Sequence, residues 1–421
     1  MDTMYNLAVK LFPICRSITG DGVRKTLKII KEYIPGLKFV EVPTGTKVFD
    51  WTVPKEWVIR DAYIEDSTGN RIIDFKNSNL HVVGYSVPVD KYLDLDELKK
   101  HIYVEESNED VIPYVTSYYK KSYGFCMSKR QRDNLKEDKY HIVIDSELKD
   151  GYLTYGEILI PGKLEKEIFL STYICHPSMA NNELSGPCVV TKLCNYILSM
   201  NNRKYTYRVI FIPETIGSIT YISRNLKQMK EHMVAGFNVS CVGDTRTYSY
   251  IQSRYGNTLA DKVARNVLKY HYPDYISYSY LNRGSDERQY NAPGVDLPVC
   301  TICRSKYGEY PEYHTSADNL SLISEEGMMG AYEVYRQCIE VLEYNEYYKV
   351  DCICEPQLGK RGLYPTTSKK GSYNSIRVLT NFIAYADGTN DLVDISNIIG
   401  VPVTKLVPVI EKLRKSRLIN V

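Results

Sequence analysis

The sequence has almost no excess of charge of either sign, because 53 lysines and arginines nearly balance 51 aspartates and glutamates. This balance argues against broad electrostatic capture of nucleic acid or of an anionic membrane. The sequence also lacks an apolar run long enough to span a bilayer, and its first residues lack the basic start and apolar core of a secretory signal. We therefore expect a cytoplasmic protein with no membrane partner, and we do not expect nucleic acid as a partner.

The sequence offers no paired set of cysteines. Its 11 cysteines are an odd number and are scattered through predicted strands and helices. That distribution is typical of reduced, buried thiols rather than of a disulfide framework. Cys300 and Cys303 have the spacing of a metal or redox pair, but they fall in an apolar run without a matching second pair. We interpret both as core residues.

The remaining pattern divides the chain into three parts. From Tyr155 onward strand-like and helix-like runs alternate, which predicts βαβ units in a largely parallel sheet. Short strand-like runs separated by turn residues predict a β-rich domain at 47–150, inserted into one α/β domain formed by 1–46 and 151–350. Short helices around a tight glycine turn predict a winged-helix-like domain at 355–421.

The most informative stretch runs from Cys175 to Gly186. The preceding apolar residues 168–174 predict a strand covered on both faces, and the following residues 188–198 have helical spacing. His176 is therefore expected at the carboxyl end of a strand, where a metal-dependent hydrolase would keep its ligands.

Three other acidic or imidazole side chains follow predicted strands. They are Glu214, Asp244 and His314. Because ligands of α/β sheets bind outside the carboxyl ends of the strands, these residues are expected to converge on His176. Two imidazoles and a carboxylate suit a zinc ion, with Glu214 as the proton acceptor and Asp286 orienting His314. Taken singly, each could instead be a helix-start charge, a loop cap or a structural histidine.

These residues also form a pattern that resembles the co-catalytic zinc aminopeptidase family. The matches are, in chain order, His176, residues 182–186, residues 214–217, Asp244, residues 285–286 and His314. More narrowly, residues 49–54, 78–86 and 175–178 are similar to bacterial aminopeptidase-like proteins that are linked to surface-polysaccharide biosynthesis. The resemblance implies a zinc-exopeptidase-like α/β fold, in which helices sandwich a mixed, largely parallel sheet, with an inserted β-rich domain and a C-terminal winged helix.

The chain departs from the two-metal pattern at two positions. Asn182 stands where the peptidases place a bridging aspartate, and Thr215 stands where they place a second metal-binding glutamate. Neither side chain supplies the anionic oxygen that a second ion requires. We therefore expect one zinc ion rather than two, held by His176, Asp244 and His314, with Glu183 as a possible further ligand.

The expected activity is zinc-dependent hydrolysis of an amide bond in a small-molecule or peptide-like substrate. The family link suggests an amino-acylated or N-acylated sugar intermediate. Arg283 and Tyr313 flank the last motif and are candidate substrate contacts, together with Asn182, although a solvated loop explains them equally well. The alternative is a catalytically silent ligand-binding or regulatory protein that uses the winged helix for contacts with partners or DNA. A homo-oligomer is compatible with either function.

Overall fold

The computed structural model describes residues 3–365, 370 and 372–421. The chain forms two compact units: the first runs to Gly256 and resumes from Ile276 to Tyr332, and the second comprises Asn257–Tyr275 and Glu333–Val421. The predicted limits of the three domains stay a prediction. Residues 366–369 and 371 of the predicted winged-helix domain lie outside the described residues.

The described residues contain the following strands, in chain order: β1 (Lys38–Pro43), β2 (Lys47–Val48), β3 (Trp51–Thr52), β4 (Glu56–Glu65), β5 (Arg71–Asp74), β6 (Val89–Asp94), β7 (Ile102–Tyr103), β8 (Phe125–Cys126), β9 (Lys139–Lys149), β10 (Tyr152–Ile160), β11 (Leu164–Tyr173), β12 (Tyr205–Ile212), β13 (Met233–Asn238), β14 (Ser249–Ile251), β15 (Ile276–Tyr278), β16 (Val299–Cys303), β17 (Lys349–Val350) and β18 (Ile419–Asn420).

The α-helices of the same residues are α1 (Met4–Leu11), α2 (Asp21–Tyr33), α3 (Leu95–Lys99), α4 (Lys129–Asp133), α5 (Ser185–Ser199), α6 (Ile216–His232), α7 (Leu259–His271), α8 (Glu287–Tyr290), α9 (Glu325–Tyr344), α10 (Arg377–Tyr385), α11 (Leu392–Ile399) and α12 (Val403–Lys415). A single π-helical turn, Ala180–Leu184, directly precedes α5.

The first unit is built on an eight-stranded mixed sheet. The strand order is β1-β10-β12-β11-β13-β16-β14-β15, and the central strands β12, β11, β13 and β16 are parallel. β11 and β12 end in fully buried, mostly apolar runs, as expected for strands covered on both faces. The predicted mixed, largely parallel sheet is confirmed, and the carboxyl ends of its parallel strands lie at one edge.

The inserted segment forms a separate four-stranded antiparallel sheet in the order β5-β4-β9-β6. Its loop after β7 reaches the segment that follows β16, where Pro113 forms an isolated bridge with Thr315. The backbone N–H of Tyr114 donates to the carbonyl of His314 at 2.8 Å. The insertion is therefore fastened to the segment that carries a predicted ligand.

In the second unit, α10, α11 and α12 pack against one another, and the antiparallel pair β17 and β18 completes a winged-helix arrangement. Gly400, at φ 69°, ends α11 in the left-handed region that favours glycine. Among the described residues, no single helix is long and apolar enough to cross a membrane. In the described part of the chain, α11 and α12 taken together reach that length and composition, and they are bent by 114°.

Candidate metal centre and active site

His176 lies three residues beyond the end of β11 and is only 3% exposed. Its Nδ1 lies 2.9 Å from Oε2 of Glu183. Arg16 is also buried; its Nε donates to the backbone carbonyl of His176 at 2.9 Å and lies 3.3 Å from Oε1 of Glu183. Burial raises the pKa of Glu183 to about 8, and the charge of Arg16 opposes this by favouring the ionised form. When Glu183 is ionised it can only accept, so Nδ1 of His176 donates and its Nε2 keeps a free lone pair.

The turn that presents Glu183 is held by the carboxylate of Asp318, a residue that we did not predict as part of the site. Asp318 accepts backbone N–H bonds from Ala180 at 3.1 Å, Asn181 at 2.6 Å and Asn182 at 3.0 Å. Its Oδ2 also accepts from the hydroxyl of Tyr310 at 2.8 Å. These N–H groups open the π-helical turn and have no partner within it, so a buried carboxylate satisfies them and ties the His314 segment to the His176 segment.

His314 faces the same pocket from the segment after β16. Its ring centroid lies 5.4 Å from that of His176, and the ring of Tyr313 stacks on it at 3.9 Å. The Nε2 atom of His314 is buried and has no hydrogen-bond partner among the described residues. The backbone of His314 has φ 56°, a strained conformation for a residue with a side chain. A strained residue that presents an unpartnered buried nitrogen is typical of a functional position.

Glu214 completes the group. Its Oε2 lies 3.7 Å from Nε2 of His176, and its backbone N–H donates to Sγ of Cys175 at 3.2 Å. The next residue, Thr215, has φ 63° and is held by Asp286, whose Oδ1 accepts from the N–H of Thr215 at 2.8 Å and from Oγ of Ser218 at 2.7 Å.

The expectation that Asp286 orients His314 is therefore wrong. Its bonded oxygen faces the turn that carries Glu214, and its Oδ2 has no hydrogen-bond partner among the described residues. Asp286 stabilises the strained backbone that projects Glu214 into the pocket.

Burial sets the protonation of these groups in the metal-free protein. It lowers the pKa of His176 to about 3, with the positive charge of Arg16 acting in the same direction, and it lowers the pKa of His314 to about 3. Both imidazoles are therefore neutral at pH 7. Burial, reinforced by the nearby charge of Asp286, raises the pKa of Glu214 to about 8. The buried site therefore favours the uncharged forms of these three groups, and a bound cation would stabilise the ionised form of Glu214.

Two predicted residues are engaged by protein donors. Both oxygens of Asp244 accept hydrogen bonds, from the N–H groups of Arg246 and Ser305, the hydroxyl of Ser305 and the side-chain amide of Asn181. Asn182 donates to the hydroxyl of Tyr173 at 2.9 Å, while its Oδ1 is buried without a partner among the described residues. Metal ligation by Asp244 stays a prediction, with few lone pairs left for it.

Two of the three predicted substrate contacts, Arg283 and Tyr313, differ in their surroundings. Arg283 is exposed, lies over the ring of Tyr280 at 4.7 Å and does not line the pocket. Tyr313 supports His314 by stacking. Glu183 joins His176 and Cys175 in a buried group whose ligand atoms all lie within 4.8 Å of one another. The structure thus brings together His176, Glu183, Glu214 and His314, and it leaves Arg283 outside.

The pocket above these groups has a volume of about 340 Å³. Its lining includes aromatic residues from the insertion that our sequence analysis missed: Trp51, Tyr114, Tyr118 and Tyr119. The ring of Tyr114 lies 5.2 Å from both His176 and His314. The tyrosine-rich run at 114–123 was the available signal, although 38 tyrosines in the chain weaken it. Arg16, a charged residue inside the apolar run 14–18, was the signal for the buried ion pair.

The fold and the strand-end site define an aminopeptidase-like α/β protein. The structure of a zinc aminopeptidase from Bacillus subtilis superposes with a TM-score of 0.59 at 13% identity, covering 81% of this chain and 94% of that one. The chain belongs to the family described as Domain of unknown function (DUF4910), whose model matches residues 5–345, and residues 345–421 match a winged helix-turn-helix model.

Two matches from Clostridium acetobutylicum are much more similar to this chain. One is a protein provisionally named as a polysaccharide biosynthesis protein with an aminopeptidase-like domain; it is 48% identical over 395 residues, 93% of this chain and 90% of that protein. The other is a crystal structure provisionally named as a peptidase, with a TM-score of 0.93 and 44% identity, covering 99% of this chain and 95% of that one. The predicted resemblance is confirmed.

Proposed function

We propose that this protein is a metal-dependent hydrolase that cleaves an amide bond, with Glu214 as its general base. One observation carries the proposal: His176, Glu214 and His314 follow three different strands and line a single pocket. Ligands of α/β sheets bind at this edge. The aminopeptidase-like relatives support the same class of reaction.

The donor set fits zinc. His314 offers a buried, unpartnered Nε2, and the contact of His176 with Glu183 through Nδ1 leaves its Nε2 available. Burial keeps both rings in the neutral form that binds metals. The buried Oδ1 of Asn182 is a further candidate ligand. We propose one ion, and we assign Glu183 the role of orienting His176.

A zinc ion at these nitrogens would acidify a water molecule and polarise the amide carbonyl. Glu214 accepts the proton of the attacking water and returns it to the leaving nitrogen, so that the carboxylate is regenerated in each cycle. Asp286 and the strained turn at Thr215 hold the Glu214 carboxylate toward His176. The aromatic side chains of the insertion line the same pocket as these groups.

For the substrate we propose an amino-acylated or N-acylated sugar intermediate rather than a free peptide. The name of the relative that is 48% identical, which refers to polysaccharide biosynthesis, supports this class. The comparisons do not favour the alternative of a catalytically silent binding protein. A cytoplasmic location, a homo-oligomer and the absence of a nucleic-acid partner stay predictions; retention on DNA at physiological salt would contradict the last of these.

Metal analysis tests the proposal most directly. Protein purified without chelators, or reconstituted with zinc, should hold about one ion per chain, and the Glu214→Gln variant should keep that ion while losing hydrolysis of amide substrates. Failure of the wild-type protein to take up zinc would refute the metal site. Loss of zinc in the Glu214→Gln variant would show that Glu214 is a ligand rather than the base.

A further inference from the structure

A second cleft adjoins the candidate active site. It has a volume of about 400 Å³ and is lined by the turn between β2 and β3 with Trp51 of β3, by α6, and by residues 289 and 292–295. Trp51 lines both this cleft and the pocket that contains His176, Glu214 and His314. The two cavities are therefore neighbours that share one indole side chain.

The second cleft is mostly apolar. Ile219 and Ile222 are buried at 6% and 1% exposure, whereas Phe49 is 60% exposed and Trp51 is 38% exposed. Asp50 and Gln289 are the only polar side chains among the described residues that line it. Exposed aromatic side chains around an apolar concavity favour an apolar ligand over a charged one.

The turn that presents the two aromatic residues is itself unusual. Residues 49–50 join β2 to β3, and Phe49 has φ 56°. Glycine, asparagine or aspartate suits this left-handed conformation, and a bulky aromatic side chain is strained in it. Local stability therefore does not account for Phe49, whereas contact of its ring with a ligand would. The strand β2, which leads into this turn, contacts α6, and Phe49 lines the cleft together with residues of α6.

We propose that this cleft is a substrate subsite that binds an apolar aliphatic or aromatic group attached to the amide that is cleaved. The proposal rests on the proposed function and narrows its substrate class: an acylated sugar whose acyl or aminoacyl part is apolar. The volume lies within the range of small-molecule pockets, roughly 300–1,000 Å³. A group as small as acetyl would leave the cleft empty.

Two hydroxamates distinguish binding at the proposed subsite from binding at the metal site. Acetohydroxamate and hexanohydroxamate share the zinc-chelating head and differ only in an apolar tail, so the ratio of their dissociation constants for zinc-loaded protein, measured by calorimetry, reports the cleft. We expect hexanohydroxamate to bind about tenfold tighter or better, since four added methylenes are removed from water.

Variants locate the effect. Leu226→Glu on α6 and Phe49→Ser on the turn should each bring the ratio toward one without changing the affinity for acetohydroxamate. Leu159→Glu serves as the matched control, because Leu159 is 46% exposed and lines neither cavity. It should leave the ratio unchanged. Phe49 is exposed, so its variant tests the cleft even if Leu226→Glu fails to fold.

The outcomes are distinct. Equal binding of both hydroxamates, or a ratio that the two cleft variants do not alter, overturns the subsite and leaves the proposed hydrolase standing. If neither hydroxamate binds, the metal site fails; hexan-1-ol is then titrated into metal-free Trp57→Phe protein, in which Trp51 is the only tryptophan. A saturable change in its fluorescence supports the cleft, and its absence overturns it. Conversion of a dimer to monomers by the cleft variants would identify an interface between copies instead.

Discussion

The buried pair of Arg16 and Glu183 provides the sharpest test of how the site is organised. Both side chains are 0% exposed, and Nε of Arg16 lies 3.3 Å from Oε1 of Glu183. Arg16 also donates to the backbone carbonyls of His176 at 2.9 Å and Leu11 at 2.8 Å. Burial lowers the pKa of Arg16 and raises the pKa of Glu183 to about 8, and in each case the charge of the partner opposes the effect of burial. We infer that each charge compensates the other and that together they fix the orientation of His176.

The magnitude follows from removing one partner at a time. Arg16→Met leaves Glu183 without a positive partner and leaves two carbonyls without a donor, whereas Glu183→Gln leaves the guanidinium buried beside a neutral amide. Breaking a buried ion pair on one side typically costs ~3–5 kcal/mol of unfolding free energy. The double variant removes both charges, so we expect it to cost about as much as one single variant rather than the sum of the two.

Urea unfolding followed by tryptophan fluorescence measures this cycle, because Trp51 and Trp57 both lie in the same compact unit as the pair. The control is the exposed pair Arg60 and Asp145, with side chains 51% and 49% exposed, for which removal should cost less than ~1 kcal/mol. Additivity of the Arg16 and Glu183 effects within ~0.5 kcal/mol would refute the compensation.

The same variants separate positioning from general stability. If Glu183 orients His176, Glu183→Gln should weaken zinc binding about 10–100-fold in chelator competition, as is usual for the partner of a ligating histidine. Zinc affinity that stays unchanged in a folded Glu183→Gln protein would show that Glu183 matters for folding alone. Complete loss of zinc would favour the first prediction, in which Glu183 is itself a ligand.

Variants at three further positions test the surroundings of the site. Asp318→Asn removes the charge that accepts three backbone N–H groups and should lower the unfolding free energy by ~2–3 kcal/mol in urea, whereas no change would contradict its bracing role. In metal-free protein the pKa of His314 is about 3, below its unfolded value, so its contribution to stability is present above pH ~6.5 and is lost as the pH falls. Between pH 7 and 4.5 the unfolding free energy of His314→Asn should therefore fall by ~1–3 kcal/mol less than that of the wild type. Equal losses would be evidence against a buried neutral ring. Thr215→Gly should be more stable than Thr215→Ala by ~1 kcal/mol because the φ of 63° strains any side chain, and the opposite order would refute that strain.

The sequence predicted the frame of the site because that frame is local. A buried strand followed by a helix leaves a periodic pattern, so the apolar run at 168–174 marked β11 and the position of His176 beyond its end. Glu214 and the end of β12 were predictable in the same way. The carboxyl ends of parallel strands meet at one edge, and this placed candidate groups from distant parts of the chain together without any contact information.

The contacts that complete the site carry no periodic signal. Tyr114 reaches His314 from the insertion, and Arg16 bonds to a residue 160 positions away. Spacing along a helix or strand cannot report such pairs, and a single sequence does not show which distant residues meet. The partner of His176 depended on the π-helical turn, since that geometry directs Glu183 toward Nδ1. Carboxylates that follow a strand are thus predictable in place but not in role.

Asp244 and Asp318 illustrate the difference most clearly. Both are buried carboxylates that lie beyond strands of the parallel sheet, at 2% and 0% exposure. Hydrogen-bond donors around each carboxylate direct its oxygens. Asp244 accepts from Asn181, Arg246 and Ser305. Asp318 accepts from three N–H groups of the π-helical turn before α5. A buried carboxylate must satisfy its charge somewhere, and here protein donors satisfy both. By contrast, the buried Nε2 of His314 has no hydrogen-bond partner among the described residues. We therefore expect the histidines, rather than either aspartate, to hold the zinc ion.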